Sequence, residues 1–154
     1  MHHELRNKKR GIARDETLKI LARGEYGILS TTGHDNKPYG VPLSYASDDA
    51  AIYFHCATEG RKLRNIASNP QVSFCVTGET EVLPEQFSTR YESAIVSGRC
   101  EELFGDEKQS ALEKLVMKYS AGFHAEGIAY IKAAWNATRA FKIVIGDICG
   151  KARY

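Results

Sequence analysis

Residues Tyr53 to Pro70 read Tyr-Phe-His-Cys-Ala-Thr-Glu-Gly-Arg-Lys-Leu-Arg-Asn-Ile-Ala-Ser-Asn-Pro, and the fold turns on how this stretch changes character. It continues a short apolar strand, Ala51-Ile52-Tyr53-Phe54, breaks at Thr58-Glu59-Gly60 and resumes as a two-turn helix. Leu63, Ile66 and Ala67 fall at i, i+3, i+4, the spacing of one buried helical face. Asn69-Pro70 stops the helix, because the residue before a proline is pushed out of the helical region. The charges run against the helix's own field. Arg61 and Lys62 stand in the first turn, where unpaired N–H groups and the dipole already present positive potential. Each cation there costs roughly 0.3–1 kcal/mol unless something negative lies between them. Free N–H groups, the Thr58 hydroxyl, flexible Gly60 and two cations meeting at one point describe a site for a phosphate-type anion. The plainer reading puts both side chains in solvent, as most surface lysines and arginines are.

On the N-terminal side, Glu25–Thr32 reads as a first strand and Gly33–Pro38 as a turn by composition, with His34 in it as a surface residue. Tyr39–Ala46 is a second strand in which Val41, Leu43 and Tyr45 share one face. Pro42 cannot donate to a ladder, so this strand lies at an edge or is bulged there. Backbone groups around Val41–Ser44 are then free to face a flat ligand, or the proline simply guards an edge against aggregation. Asp15 is expected to cap a helix over Glu16–Arg23. Residues 1–14 form a flexible basic terminus; no aromatics interleave its charges for stacking on nucleic acid.

On the C-terminal side, Ser47-Asp48-Asp49 makes a hairpin turn, and Gln71–Thr77 is a fourth strand. Gly78–Thr89 reads as a long loop, and Tyr91–Leu103 as a fifth strand bent at Gly98. Asp106 caps a helix through Tyr119 whose buried stripe is Ala111, Leu112, Leu115 and Val116. A second helix over His124–Asn136 carries Trp135, and Arg139–Ile145 is the last strand. The tally is six short strands, mostly antiparallel, with helices outside them: a small Greek-key barrel in one domain, residues 15–154.

Composition narrows the function classes. The chain has 154 residues, 43% of them hydrophobic, and a net charge of +2, too small to argue for nucleic acid. No apolar run has the length of a membrane span and the first residues lack a signal-peptide core, so a cytoplasmic location is expected. Cys56, Cys75, Cys100 and Cys149 stand far apart with no CxxC pair, which suggests neither a zinc site nor a disulfide framework.

Four motifs in order, Tyr39–Tyr45 (YGVPLSY), Ile52–Asn65 (IYFHCATEGRKLRN), Asn69–Val76 (NPQVSFCV) and Tyr91–Gly98 (YESAIVSG), resemble the pyridoxamine 5′-phosphate oxidase-related flavoproteins with the FMN-binding split-barrel fold. Within that superfamily they are most similar to the nitroimidazole-resistance, nitroimidazole reductase-like group. The resemblance implies a mainly β, six-stranded antiparallel Greek-key split barrel with flanking helices. It implies that Arg61 and Lys62, with Gly60 before them, hold the FMN phosphate. It lays His55, Cys56, Ala57 and Thr58 along the flavin and ribityl chain, and Val41, Pro42, Leu43 and Ser44 along the isoalloxazine ring. It also implies a homodimer with FMN sites at the interface, a transient nicotinamide donor, a small electron-poor acceptor and a catalytic role for His55. A lone histidine at a strand end is otherwise a structural residue. The arginine-histidine substrate motif that closes the true pyridoxamine phosphate oxidases is absent after Ile145, which argues against vitamin B6 oxidation. Two other classes stay open: a non-catalytic flavin- or haem-binding protein, with His55 or His124 toward iron, and an RNA-binding small barrel.

Overall fold

The chain builds one antiparallel sheet, curled around a single apolar core and left open along one seam. The computed structural model describes residues 4–154. In chain order the elements are β1 (Gly11–Ile12), α1 (Arg14–Arg23), β2 (Gly27–Thr32), β3 (Pro38–Leu43), β4 (Ala46–Ser47), β5 (Ala51–Cys56), α2 (Arg61–Ser68), β6 (Gln71–Leu83), β7 (Ser88–Leu103), α3 (Gly105–Tyr119), α4 (His124–Ala134) and β8 (Arg139–Arg153). The strand order is β3-β2-β6-β7-β8-β5-β4, with β1 added to β8. Six strands are long and two are two-residue pairings, so the split barrel expected from the sequence is present with its flanking helices.

Alternation assigns the faces. Leu29, Ile52, Phe54, Phe74, Val76, Val96, Phe141 and Ile143 turn inward, joined by Ile20 and Leu21 of α1 and Leu63 and Ile66 of α2. Phe54 and Phe141, cross-strand partners, stack at 5.4 Å. Their chain neighbours point the other way. Ala140 and Tyr53 pack under α3 and α4 with Leu103, Leu112, Leu115 and Ile131, forming a second cluster on the barrel's outer face.

Pro42 does sit on an edge: β3 pairs only with β2, Pro42 opposite Ile28. The second strand ends earlier than expected, at Leu43; the chain then crosses at Ser44-Tyr45 so that Ala46-Ser47 can pair with β5. The Tyr45 hydroxyl, buried, donates to the Leu21 carbonyl and fixes that crossing to α1.

The long loop expected over residues 78–89 is mostly strand. β6 and β7 continue as a hairpin to Leu83 and Ser88, with a bulge where Thr77 pairs Ser93 and Thr80 pairs Tyr91. At Gly98, where a bend is expected, the register slips: Ser97 faces Asp147 while Gly98 faces Ile145, leaving Gly146 unpaired. A Cβ on Gly98 would meet the Val144 carbonyl oxygen at 2.1 Å. The helix starts were read too late. Ala13 rather than Asp15 precedes α1, Phe104 rather than Asp106 precedes α3, and neither start has a side-chain cap. In α2 the third buried residue is Asn65, not Ala67, because its amide donates to Thr31 Oγ1 at 3.0 Å. The basic terminus expected over 1–14 begins with residues outside those described; its end is tied down by Gly11 and Ile12 pairing Lys151 and Gly150.

Candidate functional site

The break between β5 and α2 places Thr58, Gly60, Arg61 and Lys62 at one end of the barrel. Gly60, the residue before α2, has φ 141° and ψ 171°, a conformation open essentially to glycine alone. Nothing lies within 4 Å of where its Cβ would stand, so glycine is required there by backbone and not by crowding. No acidic residue occupies the first turn of α2 and no side chain caps it. The helix therefore points uncapped N–H groups outward beside two cations, a cradle suited to a phosphate.

Those cations lie over aromatic rings. The Arg61 guanidinium sits 4.5 Å above Tyr39, on the edge strand β3, and Lys62 Nζ lies 6.0 Å from the Phe54 ring. The α2 start and the β3 edge are thereby brought together. Arg139, the first residue of β8, closes this end. It makes a two-pronged ion pair with Glu102, both bonds 2.7 Å, and its Nη1 donates to the Thr58 carbonyl at 3.4 Å. The pairing holds the Glu102 carboxyl below the usual carboxylate range, chiefly through the Arg139 hydrogen bonds. Neither Tyr39 nor Arg139 stood out in the sequence. Arg139 and Glu102 are 37 residues apart, and no local spacing signals such a pair.

His55 and Cys56 do not share a face. Cys56 pairs Arg139 and packs against the main core, whereas His55 pairs Ala140 and turns toward α3 and α4. Val41 and Leu43 also pack on the main core, while Pro42, Ser44, Ala57 and Thr58 are exposed. The predicted set thus divides between the barrel end and the outer face. Burial raises the Cys56 thiol above its ordinary value, with Lys62 and Arg139 pulling the other way. Desolvation, then the Lys62 charge, lowers the His55 pKa below its ordinary value, although the residue as a whole is exposed.

His55 opens into a cavity of about 300 Å³ between the sheet's outer face and the helices. Ser44, at the end of β3, shares it; Leu115, Tyr119, Ile131 and Thr138 form walls. The Tyr119 hydroxyl accepts from the Tyr45 N–H at 3.0 Å, which holds the ring in place. This cavity was not legible beforehand, since its lining comes from five separate stretches of chain. Among the described residues no group of three or more His, Cys, Asp or Glu side chains is placed to hold a metal ion. No helix among them is long and apolar enough to cross a membrane.

A family model, pyridoxamine 5′-phosphate oxidase, matches residues 13–152. The chain belongs to that family. The match spans the whole barrel of this pyridoxamine 5′-phosphate oxidase-family chain, from the start of α1 almost to the end of β8. Among solved structures it is similar to a proposed 5-nitroimidazole antibiotic resistance protein from Bacteroides thetaiotaomicron, at 21% identity over 98% of this chain and 95% of that one, TM-score 0.79. A FAD-binding protein from Mesorhizobium loti shows 26% identity over 92% and 93%, TM-score 0.63. A FAD and haem binding protein from Mycobacterium smegmatis shows 23% identity over 94% and 73%, TM-score 0.81. No curated protein matches by sequence.

Proposed function

We propose that this chain binds FMN and acts as an oxidoreductase toward a small electron-poor acceptor such as a nitroaromatic. The observation that carries the reading is the α2 start. An uncapped helix end, with no acidic residue in its first turn, carries two adjacent cations and opens from a glycine-only bend. Those residues fit a phosphate, and Tyr39 and the free edge of β3 beside them fit a flat ring system. When bound, FMN supplies two-electron chemistry between a reduced nicotinamide donor and the acceptor. Arg61 and Lys62 anchor the phosphate with charge-assisted hydrogen bonds. Gly60 and Thr58 shape the approach, while Cys56 and Ala57 border the ribityl chain. Main-chain groups of Val41, Pro42, Leu43 and Ser44 face the ring. His55 offers its ring N–H to the acceptor or relays a proton to it. The assembly proposed is a homodimer with FMN at the interface, in the cytoplasm.

The test is the visible spectrum of the purified protein, with and without added FMN, for wild type and for Arg61→Ala/Lys62→Ala. Flavin bands in wild type and their loss in a double variant that still folds are expected. Undiminished FMN uptake by the double variant overturns the assignment. A second reading, a non-catalytic flavin- or haem-binding protein, is supported by the similarity to a FAD and haem binding protein. His55, when neutral, is a competent iron ligand. A Soret band on haem addition, lost in His55→Ala, with no turnover of any nicotinamide, would favour it.

A further inference from the structure

None of the 11 residues lining the His55 cavity is an acid, lysine or arginine. Its walls are Leu112, Leu115, Val116, Ile131 and Ala134, and its polar groups are hydroxyls and one imidazole. At about 300 Å³ it holds roughly ten water volumes, the room of one substituted ring. A carboxylate or phosphate entering it would give up part of its hydration with no opposite charge among the lining residues to replace it, which is unfavourable. The cations nearest the cavity are engaged outside its lining, although the Lys62 charge still reaches His55, and Lys118, 5.3 Å from the Tyr119 ring, donates to the Gly24 carbonyl. Lys62 and Arg61 lie toward Phe54 and Tyr39 at the barrel end, and Arg139 is taken by Glu102. His55 and Ser44 are the two predicted cofactor-side residues that open into the cavity, so it adjoins the proposed flavin position from the helix side.

We infer that this cavity is the acceptor subsite, and that it selects small uncharged single-ring or branched molecules over anionic ones of the same shape. This rests on the flavin reading for its role, though not for its binding preference. The aliphatic walls take the body of the molecule, and the His55 ring N–H and the Ser44 hydroxyl take a hydrogen-bond acceptor on it. Phosphorylated substrates are refused here, whereas the phosphate cradle at α2 serves the cofactor. The two ends of the site thus sort ligands by charge.

The experiment measures binding of para-methoxybenzyl alcohol and para-methoxybenzoate by calorimetry, with the protein first as purified and then saturated with FMN. The alcohol is expected to bind at least about tenfold more tightly than the carboxylate. Thr138→Lys, which sets a cation at the cavity wall, should bring the carboxylate level with the alcohol or ahead of it, with FMN uptake unchanged. Ala134→Trp should abolish alcohol binding by filling the space; a wild-type thermal midpoint shows that the variant is folded. Equal or tighter binding of the carboxylate to wild type overturns the inference, as does failure of the alcohol to bind. If the alcohol is preferred but FMN is not taken up, the cavity's selectivity stands and the proposed function falls. If FMN binds and the pair is not discriminated, the reverse holds.

Discussion

Protonating His55 is disfavoured in the folded chain, and a change of pH exposes this. Its folded pKa lies below the ordinary 6.5, through desolvation and then Lys62. As pH falls, the unfolded chain therefore takes up the proton first. This contribution to stability is fully present above about pH 6.5 and is lost as pH falls through the lowered folded value. Urea midpoints between about pH 8 and pH 5 should fall more steeply for wild type than for His55→Gln; parallel curves would remove the imidazole as the cause. Gly60 makes a second demand at this scale. With φ at 141°, an alanine there is strained by about 1–3 kcal/mol even though its methyl meets nothing. Gly60→Ala should lower the thermal midpoint and weaken FMN uptake together. A full loss of uptake at unchanged stability would mean that the bend has relaxed and moved the cradle.

At the scale of elements, Arg139 links β8, β7 and the turn before α2. Removing it frees the Thr58 carbonyl and leaves Glu102 without its partner. Arg139→Gln should weaken FMN binding several-fold, and Glu102→Gln alone should have a similar effect. The double variant should be little worse than either, because both act through one pair. Additive losses would show that Arg139 meets the cofactor itself. Strand edges and helix existence could be read beforehand because they are local. Pro42 announces an edge, Gly98 an irregularity read as a bend, and Leu112 and Leu115 a helical face. The β6–β7 hairpin was missed because Gly78, Pro84 and the glutamates 79, 81 and 85 look like loop, while the strands are held by pairing with each other. Helix starts were misplaced because Asp15 and Asp106 sit inside the first turns, where they meet the dipole without capping. The bend at Gly60 and the helix start at Arg61 were legible from the five residues Thr58–Lys62. The cavity was not, because no sequence interval relates Ser44 to Thr138.

Across the whole molecule, two apolar clusters share one sheet. Phe141 belongs to the barrel interior and Ala140, beside it, to the helix layer. Loosening one should therefore loosen the other. Phe54→Ala, which removes a stacked ring from the main core, should cost about 3–5 kcal/mol. Trp135, the single tryptophan, packs on the outer cluster and reports on the helix layer, whereas far-ultraviolet circular dichroism reports on the whole chain. The two denaturation curves should coincide in wild type and shift together in the variant. A separate, earlier tryptophan transition would mark the helix layer as an independent unit.

The opposed faces of β5 also bear on descent and redesign. Cys56 packs on the barrel core and His55 faces the helices, so under the proposed function the two sides of a single strand serve cofactor and acceptor separately. Mutations in α3 and α4 can drift toward a new clientele of acceptors while the α2 start goes untouched. One scaffold can then diversify its chemistry without reinventing its grip on a cofactor, and a chimera that transplants residues 105–134 between relatives is the natural place to begin.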